Sequence, residues 1–551
     1  MWGYKKLLGK DIPPMKLTNR KCETATREKD GASLLDKDLL DWAEYFLLGL
    51  KNQIEKIDSL RADLDYQTTK EFNHFSDGSV DGTDNTKALV GQLSDDTKLI
   101  VTTIQKLNTA ISKAQYTDKM LDLKDKRIVF IFDECHRSQF GETHKKIKFF
   151  FDNHQMFGFT GTPIFADNAS KNDLGKRTTK DLFGEQLHRY VITDAIRDEN
   201  VLKFSVEYWG KLKKKDGSDL EQEVTGIDVK GFYEDPQRLD QIADWIIQNH
   251  DRKTHSKRFS AIFCVSSVEA LIKYYEIFKA KKPNLRIATI FTYGVNEDDK
   301  DADGLIGDPD FDFINDVPEN KHTREKLDEY IADYNSLYQT KFSTKDSNSF
   351  YNYYKDIAKR LKERERKDSQ DIDRLDVLLV VNMFLTGFDA KKLNTLYVDK
   401  NLKYHGLIQA YSRTNRILNE EKSQGNIVCF RNLKENTDKA IALFSDKNAK
   451  EEILIEPYEV YVQRFNEGVR GLRQIAPTVE SVNSLPSEKE EFAFVKAFRD
   501  LMRLRNVLSS FSNFTFSDLD MTEQEFEDYK SKYLDIYDKT KTGEGTAFLT
   551  H

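Results

Sequence analysis

A short apolar run that ends in two acids constrains the fold of this chain most strongly. Residues Ile128 to Phe132 are all β-branched or aromatic, and Asp133 and Glu134 follow directly. Such a run predicts a strand covered on both faces, as in a parallel sheet. Ligands of open α/β sheets bind beyond the carboxyl ends of the strands, so both carboxylates would face a cleft. Neighbouring anions repel each other, and Mg²⁺ on a bound nucleotide would neutralise them. The dipeptide is also common in loops, so the interpretation needs partners elsewhere in the chain.

Strands alternate with helical stretches from Arg61 onward, which predicts parallel sheets with right-handed crossovers. In a first block the predicted strands are Leu99–Ile104, Ile128–Phe132 and the run that begins at Met156. A second block begins near Val201, and its predicted strands are Phe204–Tyr208, Ser260–Val265, Arg286–Phe291, Val377–Val381, Thr395–Val398 and Asn426–Phe430. From about residue 436 the chain is helical and charged without strand signals, which predicts an all-α region.

The charge balance limits the possible partners. The chain has 85 Lys and Arg against 93 Asp and Glu, a formal net charge of −8, so any surface for nucleic acid must be local. Three basic segments, 211–215, 252–258 and 359–367, are candidates for such a surface, although charge runs of this kind are usually solvated helix faces. Four scattered cysteines argue against a zinc site or a disulfide framework. With no long apolar run and no signal-peptide pattern, we predict a cytoplasmic protein that does not enter a membrane.

Three further segments carry groups suited to phosphoryl chemistry. A hydroxyl-bearing turn lies in the first block, a glycine-aspartate segment follows an apolar strand of the second block, and two arginines three residues apart are expected on one helical face. The residues concerned are Thr160, Gly161, Thr162, Gly387, Asp389, Gln409, Arg413 and Arg416. Guanidinium groups that face carboxylates and Mg²⁺ across a cleft would stabilise the transition state of γ-phosphate transfer.

Taken in order, these segments resemble the motifs of the superfamily 2 helicase-like motors. DECH (133–136) resembles motif II, TGTP (160–163) motif III, TGFDA (386–390) motif V and Q-x-x-x-R-x-x-R (409–416) motif VI. Longer stretches resemble the R (restriction) subunit of type I restriction–modification enzymes, from about residue 61 to the C-terminus: FIFDECHRSQFGE (130–142), YVITDAIRDENVLKF (190–204) and HGLIQAYSRTNR (405–416).

The resemblance implies an α/β fold of two RecA-like helicase lobes with parallel sheets, the first incomplete, followed by an all-α region. We expect a non-matching and partly helical segment at 1–57, the first lobe at 58–200, the second lobe at 201–435 and the helical region at 436–551. The family moves duplex DNA with energy from ATP and cuts it. The implied ligands are therefore ATP and Mg²⁺, and the implied partners are double-stranded DNA and the methyltransferase (M) and specificity (S) subunits.

The resemblance also implies a role for each candidate residue. Asp133 would hold Mg²⁺, Glu134 would orient or deprotonate the attacking water, and Arg413 and Arg416 would stabilise the transferred phosphoryl group. The resemblance places Gly387, Asp389 and Gln409 near the nucleotide. It implies that Thr160, Gly161 and Thr162 couple the nucleotide state to movement of the lobes. It also implies that Thr103 and Gln105 lie on the DNA path.

The amino-terminal residues depart from the family pattern. The family has a nuclease domain and then a phosphate loop before the segment that matches Arg61 to Gln67, and residues 1–57 match neither. Gly3 to Asp11 approaches a G-x-x-x-x-G-K-[ST] loop, but its glycines are one residue too far apart and Asp11 replaces the hydroxyl residue. We therefore expect an amino-terminally truncated or frameshifted product with little ATPase activity by itself.

Several alternatives stay open at this point. The segment 299–310 matches most of an EF-hand loop, but Asp310 replaces the bidentate Glu, which favours a solvated acidic insertion. Cys135 beside His136 could indicate a thiol hydrolase, although no third orienting group accompanies the pair. The chain could also be a non-catalytic DNA-binding or assembly module, or another superfamily 2 helicase. An ATP titration would separate the module from the motor.

Overall fold

The computed structural model describes residues 81–82, 86–94, 99–136, 140–169, 171–172, 175–176, 178–209, 229–291, 321–345, 347–362, 364, 373–385, 388–418, 421–445 and 449–541. The amino-terminal segment 1–57, the calcium-loop candidate 299–310 and Gly387 lie outside these residues. None of the helices within these ranges combines the length and apolar character that a bilayer crossing requires.

The first block contains short strand pairs. Strand β1 (Asp81–Gly82) pairs in parallel with β2 (Ile100–Val101), and β3 (Ile128–Phe132) pairs in parallel with β4 (His154–Gly158). A small antiparallel hairpin joins β5 (Lys171–Asn172) to β6 (Gly175–Lys176). The helices of this block are α1 (Thr86–Ser94), α2 (Ile104–Ser112), α3 (Thr117–Leu121), α4 (Phe140–Phe150), α5 (Thr179–Phe183) and α6 (Ile192–Arg197).

Two strand predictions in this block need correction. The predicted strand Leu99–Ile104 is a strand only at Ile100–Val101. The Thr103 hydroxyl accepts a hydrogen bond from the Lys106 N–H at 3.3 Å, and this cap starts a helix at Ile104 instead. The sequence predicts that β3 is covered on both faces, but four of its five residues are only half-buried. Among the described strands, β4 is the one strand that pairs with it.

The second block contains a six-stranded parallel sheet. Its strands are β7 (Phe204–Tyr208), β8 (Ser260–Val265), β9 (Ile287–Ile290), β10 (Val377–Val380), β11 (Leu393–Asp399) and β12 (Gly425–Cys429). They lie in the order β7-β12-β11-β8-β10-β9, and every residue of β8, β10, β11 and β12 is buried. This near-continuous apolar character is the pattern of strands covered by helices on both faces.

Most helices of this block pack against the sheet and bury its apolar side chains in one core. The helices of the block are α7 (Val229–Tyr233), α8 (Pro236–Lys253), α9 (Val268–Lys281), α10 (Lys321–Tyr338), α11 (Ser347–Lys362), α12 (Tyr404–Tyr411), α13 (Lys434–Phe444) and α14 (Lys450–Ile453). Ile192 and Ile196 of α6 also pack against this core. The chain therefore already contacts the second block at α6, before the strand β7 begins.

The remainder of the described chain is helical. Helices α15 (Tyr458–Ile475), α16 (Glu488–Ser510) and α17 (Glu523–Lys541) pack around a core of their own that includes Phe465, Phe494 and Phe498. The predicted α/β class with parallel sheets and a helical C-terminal region is thus confirmed. The two blocks are called the first and second lobes below, and α15 to α17 the helical region.

Candidate functional site

The two acids follow the carboxyl end of β3 in a tight turn. Asp133 is exposed, and its Oδ1 accepts a hydrogen bond from the Glu134 N–H at 2.9 Å. Glu134 has a positive φ of 48°, a conformation that costs a non-glycine residue about 1–3 kcal/mol. This turn presents both carboxylates at the strand end, where the sequence predicts a ligand cleft.

His136, two residues further on, is buried against the turn of the first lobe that carries the predicted coupling residues. Its Nδ1 lies 2.7 Å from the Thr160 hydroxyl and 3.3 Å from Oε2 of Glu134. The Thr160 hydroxyl also accepts a hydrogen bond from the Thr162 N–H at 2.9 Å. One imidazole therefore connects the candidate base Glu134 with the turn at Thr160.

Gln409 of α12 reaches this group from the second lobe. Its amide nitrogen lies 3.0 Å from Nε2 of His136 and 3.0 Å from the Thr162 hydroxyl. With one N–H directed to each atom, His136 accepts at Nε2 and carries its proton at Nδ1, from which it can donate to Thr160 or Glu134. The two lobes thus meet at Gln409, next to the acids.

His405 is a residue of this junction that sequence reasoning missed. Its ring centroid lies 5.5 Å from that of His136, and the side chain is only 2% exposed. Burial, with a smaller effect of His136, lowers the pKa of His405 to about 3, so the ring is neutral. Neither ring nitrogen has a hydrogen-bond partner among the described residues. The available signal was its position four residues before Gln409, which places both side chains on one face of a helix.

The two arginines do not lie on a helix, which corrects the sequence prediction. Helix α12 ends at Tyr411, because the hydroxyls of Ser412 and Thr414 bind the carbonyls of Ile408 and Tyr411 at 2.7 Å and 2.8 Å. Arg413 and Arg416 therefore lie in the irregular segment that follows.

Both arginines make contacts within the second lobe. Arg413 is 8% exposed and donates to the carbonyls of Gln409, at 3.2 Å, and Phe388. Arg416 Nε lies 3.4 Å from Oδ1 of Asp389, close enough for an ion pair. That oxygen has no hydrogen bond among the described residues, so the pair is electrostatic and poorly aligned. The guanidinium groups that the resemblance assigns to phosphate binding are thus engaged by two backbone carbonyls and by Asp389.

The predicted DNA-path residues Thr103 and Gln105 lie at the start of helix α2, and the predicted coupling residue Gly161 lies at the surface. The Thr103 hydroxyl caps α2, and Gln105 lies in the first turn of that helix. Gly161 is exposed, and a Cβ added there would meet open space, so packing does not require glycine at this position. Gly387 lies outside the described residues.

Cys135 lacks the properties of a nucleophile. It is buried, and burial together with the carboxylates of Glu134 and Asp133 raises the pKa of its thiol to about 12. A reactive cysteine needs the thiolate form near neutral pH. Its Sγ would lie 2.8 Å from a Cβ added at Gly158, which indicates a packing role. The thiol-hydrolase alternative therefore has no support in the site.

Comparison with known proteins shows what the chain is similar to. Three family models match successive parts of the chain: SWI2/SNF2 ATPase at residues 57–237, Type I restriction enzyme subunit R domain 3 at 257–432, and Type I restriction and modification enzyme - subunit R C terminal at 453–547. The Type I restriction enzyme SauMSSORF170P endonuclease subunit of Staphylococcus aureus (strain MSSA476) is 45% identical over 515 residues, which are 92% of this chain and 52% of that subunit. The chain is homologous to the R subunits of type I restriction enzymes.

Another R subunit and a fragment of an R protein are also similar to parts of this chain. The SauCOLORF180P endonuclease subunit of S. aureus (strain COL) is 46% identical over 516 residues, again 92% of this chain and 52% of the relative. A crystallised fragment of a type I restriction enzyme R protein from Bacteroides fragilis is 45% identical, with a TM-score of 0.15, and covers 15% of this chain and 99% of the fragment. The chain spans about half the length of the curated relatives it matches. The predicted relationship to R subunits and to helicase-like ATPases is confirmed.

Proposed function

We propose that this chain forms part of the ATP-driven DNA translocase of a type I restriction complex. The observation that carries the proposal is the junction at Gln409, which brings a side chain of the second lobe onto His136 and Thr162 of the first. In the motors that the chain resembles, the acids and the arginines come from separate lobes, so that closure would assemble the site. The domain limits at residues 57, 200 and 435 are part of this proposal.

The acids act first in the proposed mechanism. Glu134 accepts a proton from the attacking water or orients it, and His136 fixes its carboxylate from the side at 3.3 Å. Asp133 keeps one carboxylate oxygen on the Glu134 N–H, and its exposed side chain suits a hard cation. Among the described residues no group of three potential ligand side chains occurs, so Mg²⁺ would take its remaining oxygen ligands from the nucleotide and water. When bound, Mg²⁺ would neutralise the charge of the phosphates.

The arginines act from the second lobe. In the proposed closed state, phosphate oxygens replace the Phe388 carbonyl on Arg413 and the Asp389 carboxylate on Arg416. Gln409, Asp389 and Gly387 would be near the nucleotide, and the turn of Thr160, Gly161 and Thr162 would pass the nucleotide state to the junction. Phe384 and Tyr404 have positive φ values of 68° and 45°, a strained backbone conformation for residues other than glycine. They precede the segments that carry Asp389 and Gln409, and strain of this kind is common in elements that switch conformation.

Double-stranded DNA and the M and S subunits are the proposed partners. Thr103 and Gln105 would lie along the DNA path, and phosphate contacts would make this binding dependent on salt and independent of sequence. The relatives are named as endonuclease subunits, and cleavage by a complex that contains this chain is part of the proposal.

The ATPase activity of a fusion protein tests the proposal. The amino-terminal part of an R subunit with a G-x-x-x-x-G-K-[ST] loop is fused before residue 61, and ATPase activity is measured with M, S and DNA. We expect the 551-residue chain to hydrolyse ATP near background, since residues 1–57 hold no such loop, and the fusion to show DNA-stimulated turnover. Glu134→Gln should lower that turnover at least ~10²-fold. Turnover that the Gln variant keeps would contradict the assigned role.

A non-catalytic assembly module is the second candidate. The contacts that occupy both arginines favour it. A module would bind DNA and the partner subunits in the same experiment, and its fusion would gain no ATPase activity.

A further inference from the structure

The second lobe and the helical region have separate hydrophobic cores, and a buried lysine lies where they meet. The core of the six-stranded sheet and the core around Phe465, Phe494 and Phe498 are distinct clusters among the described residues. Lys253, the last residue of α8, has a side chain that is 1% exposed. Because a buried ammonium is costly unless it is paired and hydrogen-bonded, its partners show what it stabilises.

The ammonium group of Lys253 bridges the two bodies. Its Nζ forms an ion pair with Glu207 of β7 and donates to the carbonyl of Ser510, the last residue of α16, at 2.6 Å. Helix C-termini carry partial negative charge, so the ends of α8 and α16 and the Glu207 carboxylate all favour a cation at this point. The arrangement explains how a lysine can be buried between two domains.

The Lys253 backbone fixes the same residue to the sheet. Its carbonyl, at the end of α8, accepts hydrogen bonds from Asn394 at 3.0 Å, Thr395 at 3.1 Å and Asn426 at 3.0 Å. These three buried side chains lie at the starts of β11 and β12. They satisfy a carbonyl that would otherwise lack a partner at a helix end. Lys253 is thus attached to the strands through its backbone and to the helical region through its side chain.

The segment Ser510–Ser512 is the matching part of the helical region. The Ser512 hydroxyl donates to Glu207 at 2.8 Å, and the side chain of Gln424 in the second lobe donates to the Ser510 hydroxyl at 2.6 Å. Phe511, between the two serines, contacts Tyr458 and Tyr461 of α15 with ring centroids 5.5 Å and 6.2 Å apart. The contacts therefore continue from the sheet, through Lys253, into the helical region.

We infer that the buried Lys253 and the partly buried Glu207 form a clamp that joins the second lobe and the helical region into one mechanical unit. When the second lobe moves relative to the first, the helical region moves with it. This inference goes beyond the proposed ATPase, because it concerns how motion reaches the part of the chain farthest along the sequence. Its test requires neither ATP nor DNA, so its failure and the failure of the proposed function are distinguishable.

Hydrogen exchange of the 551-residue chain tests the clamp. In Lys253→Met, which keeps most of the length of the side chain and removes its charge, amides at the end of α16 (residues 507–512) should exchange roughly tenfold faster or more. Amides of β8 should keep their protection, because the core of the sheet is untouched. Adding Glu207→Gln to Lys253→Met should restore much of the protection, because it removes a partly buried carboxylate that has lost its ammonium partner.

Lys279→Met is the matched control. Lys279 pairs with Glu329 at 3.1 Å and Asp333 at 2.8 Å on the same lobe, but it is 42% exposed. This variant should leave exchange at residues 507–512 unchanged. If Lys253→Met fails to fold, Ser512→Ala removes one donor to Glu207 without leaving a lone buried charge and should raise the exchange roughly twofold. Unchanged exchange at 507–512 in the variant that folds, or an equal rise in β8, would overturn the inference.

Discussion

Two aspartates at strand ends show how differently the two lobes use the same position. Asp133 follows β3 in the first lobe and is exposed, with one oxygen on the neighbouring N–H. Asp399 ends β11 in the second lobe and is 1% exposed. Its carboxylate accepts hydrogen bonds from both terminal nitrogens of the Arg238 guanidinium, at 2.6 Å and 3.0 Å, and from the Tyr274 hydroxyl at 2.7 Å. The second carboxylate is buried among partners of its own lobe, while the first is exposed to solvent.

The strands of the two lobes also differ in how deeply they are buried. Every residue of β8 is buried in the second lobe, whereas β3 is mostly half-buried. The lobe with the fully buried strands thus carries the arginines and Gln409, and the less covered pair of strands carries the acids. Low local stability is common in elements that move during ligand binding, which accords with the proposed closure of the first lobe onto the second.

A pair of phenylalanine truncations tests this difference most strongly. Phe263→Ala in β8 should lower the free energy of unfolding by about 3–5 kcal/mol, because the side chain is fully buried among aromatic neighbours. Phe130→Ala in β3 should cost about 1–2 kcal/mol, because Phe130 is only half-buried. Urea unfolding monitored separately for each lobe measures both values. Equal losses would contradict the difference in packing between the lobes.

The Asp399 network predicts a pH dependence specific to the second lobe. Burial alone would raise the pKa of Asp399, but hydrogen bonds and charge from Arg238 and Arg431 outweigh it and lower the pKa below its usual value. A depressed pKa contributes stability above the unfolded value, about 3.9, and loses it as the pH falls through the folded value.

Asp399→Asn should therefore destabilise the second lobe by about 3 kcal/mol at pH 7, where two arginines lose their buried partner. The difference from the parent chain should shrink below about pH 4. Thermal unfolding between pH 3 and pH 7 measures it. A difference that stays constant over this range would mean that the charge of Asp399 contributes nothing.

Two glycines offer a smaller comparison of the same kind. A Cβ at Gly425 of β12 would lie 2.2 Å from the Thr414 hydroxyl, next to Arg413, whereas a Cβ at Gly161 would meet nothing within 4 Å. Gly425→Ala should cost about 1–3 kcal/mol by displacing Thr414, and Gly161→Ala less than about 0.5 kcal/mol. Melting temperatures of both variants provide the measurement, and a destabilised Gly161 variant would indicate a constraint that the packing does not show.

The sequence was most informative about the second sheet. Strands Phe204–Tyr208 and Ser260–Val265 have the limits that their apolar runs predict, since buried parallel strands need such runs. It was less reliable where a polar side chain decides the backbone, as Thr103 does at the start of α2 and as Ser412 and Thr414 do at the end of α12. Single hydroxyl groups ended or started helices at these positions, which periodicity alone does not show.

The candidate site was only partly predictable for a related reason. The motif residues Thr162 and Gln409 lie in contact in the fold, although 247 positions separate them. His405 was missed because its environment depends on His136 from the other lobe. The Asp399 network was missed because its main partner, Arg238, lies 161 positions away on α8. Contacts of this kind arise from the packed fold and leave no local pattern in the sequence.

The ATPase activity of the phosphate-loop fusion, with Arg413 and Arg416 replaced singly by Ala, tests the central claim most directly. If acids of the first lobe and arginines of the second act on one nucleotide, each substitution should lower kcat by about 10³-fold or more, while Arg503→Ala, at an exposed position of the helical region, should not. Melting temperatures identify any variant that loses activity through unfolding. Undiminished kcat in both folded arginine variants would contradict the account, because no shared site would then exist between the lobes.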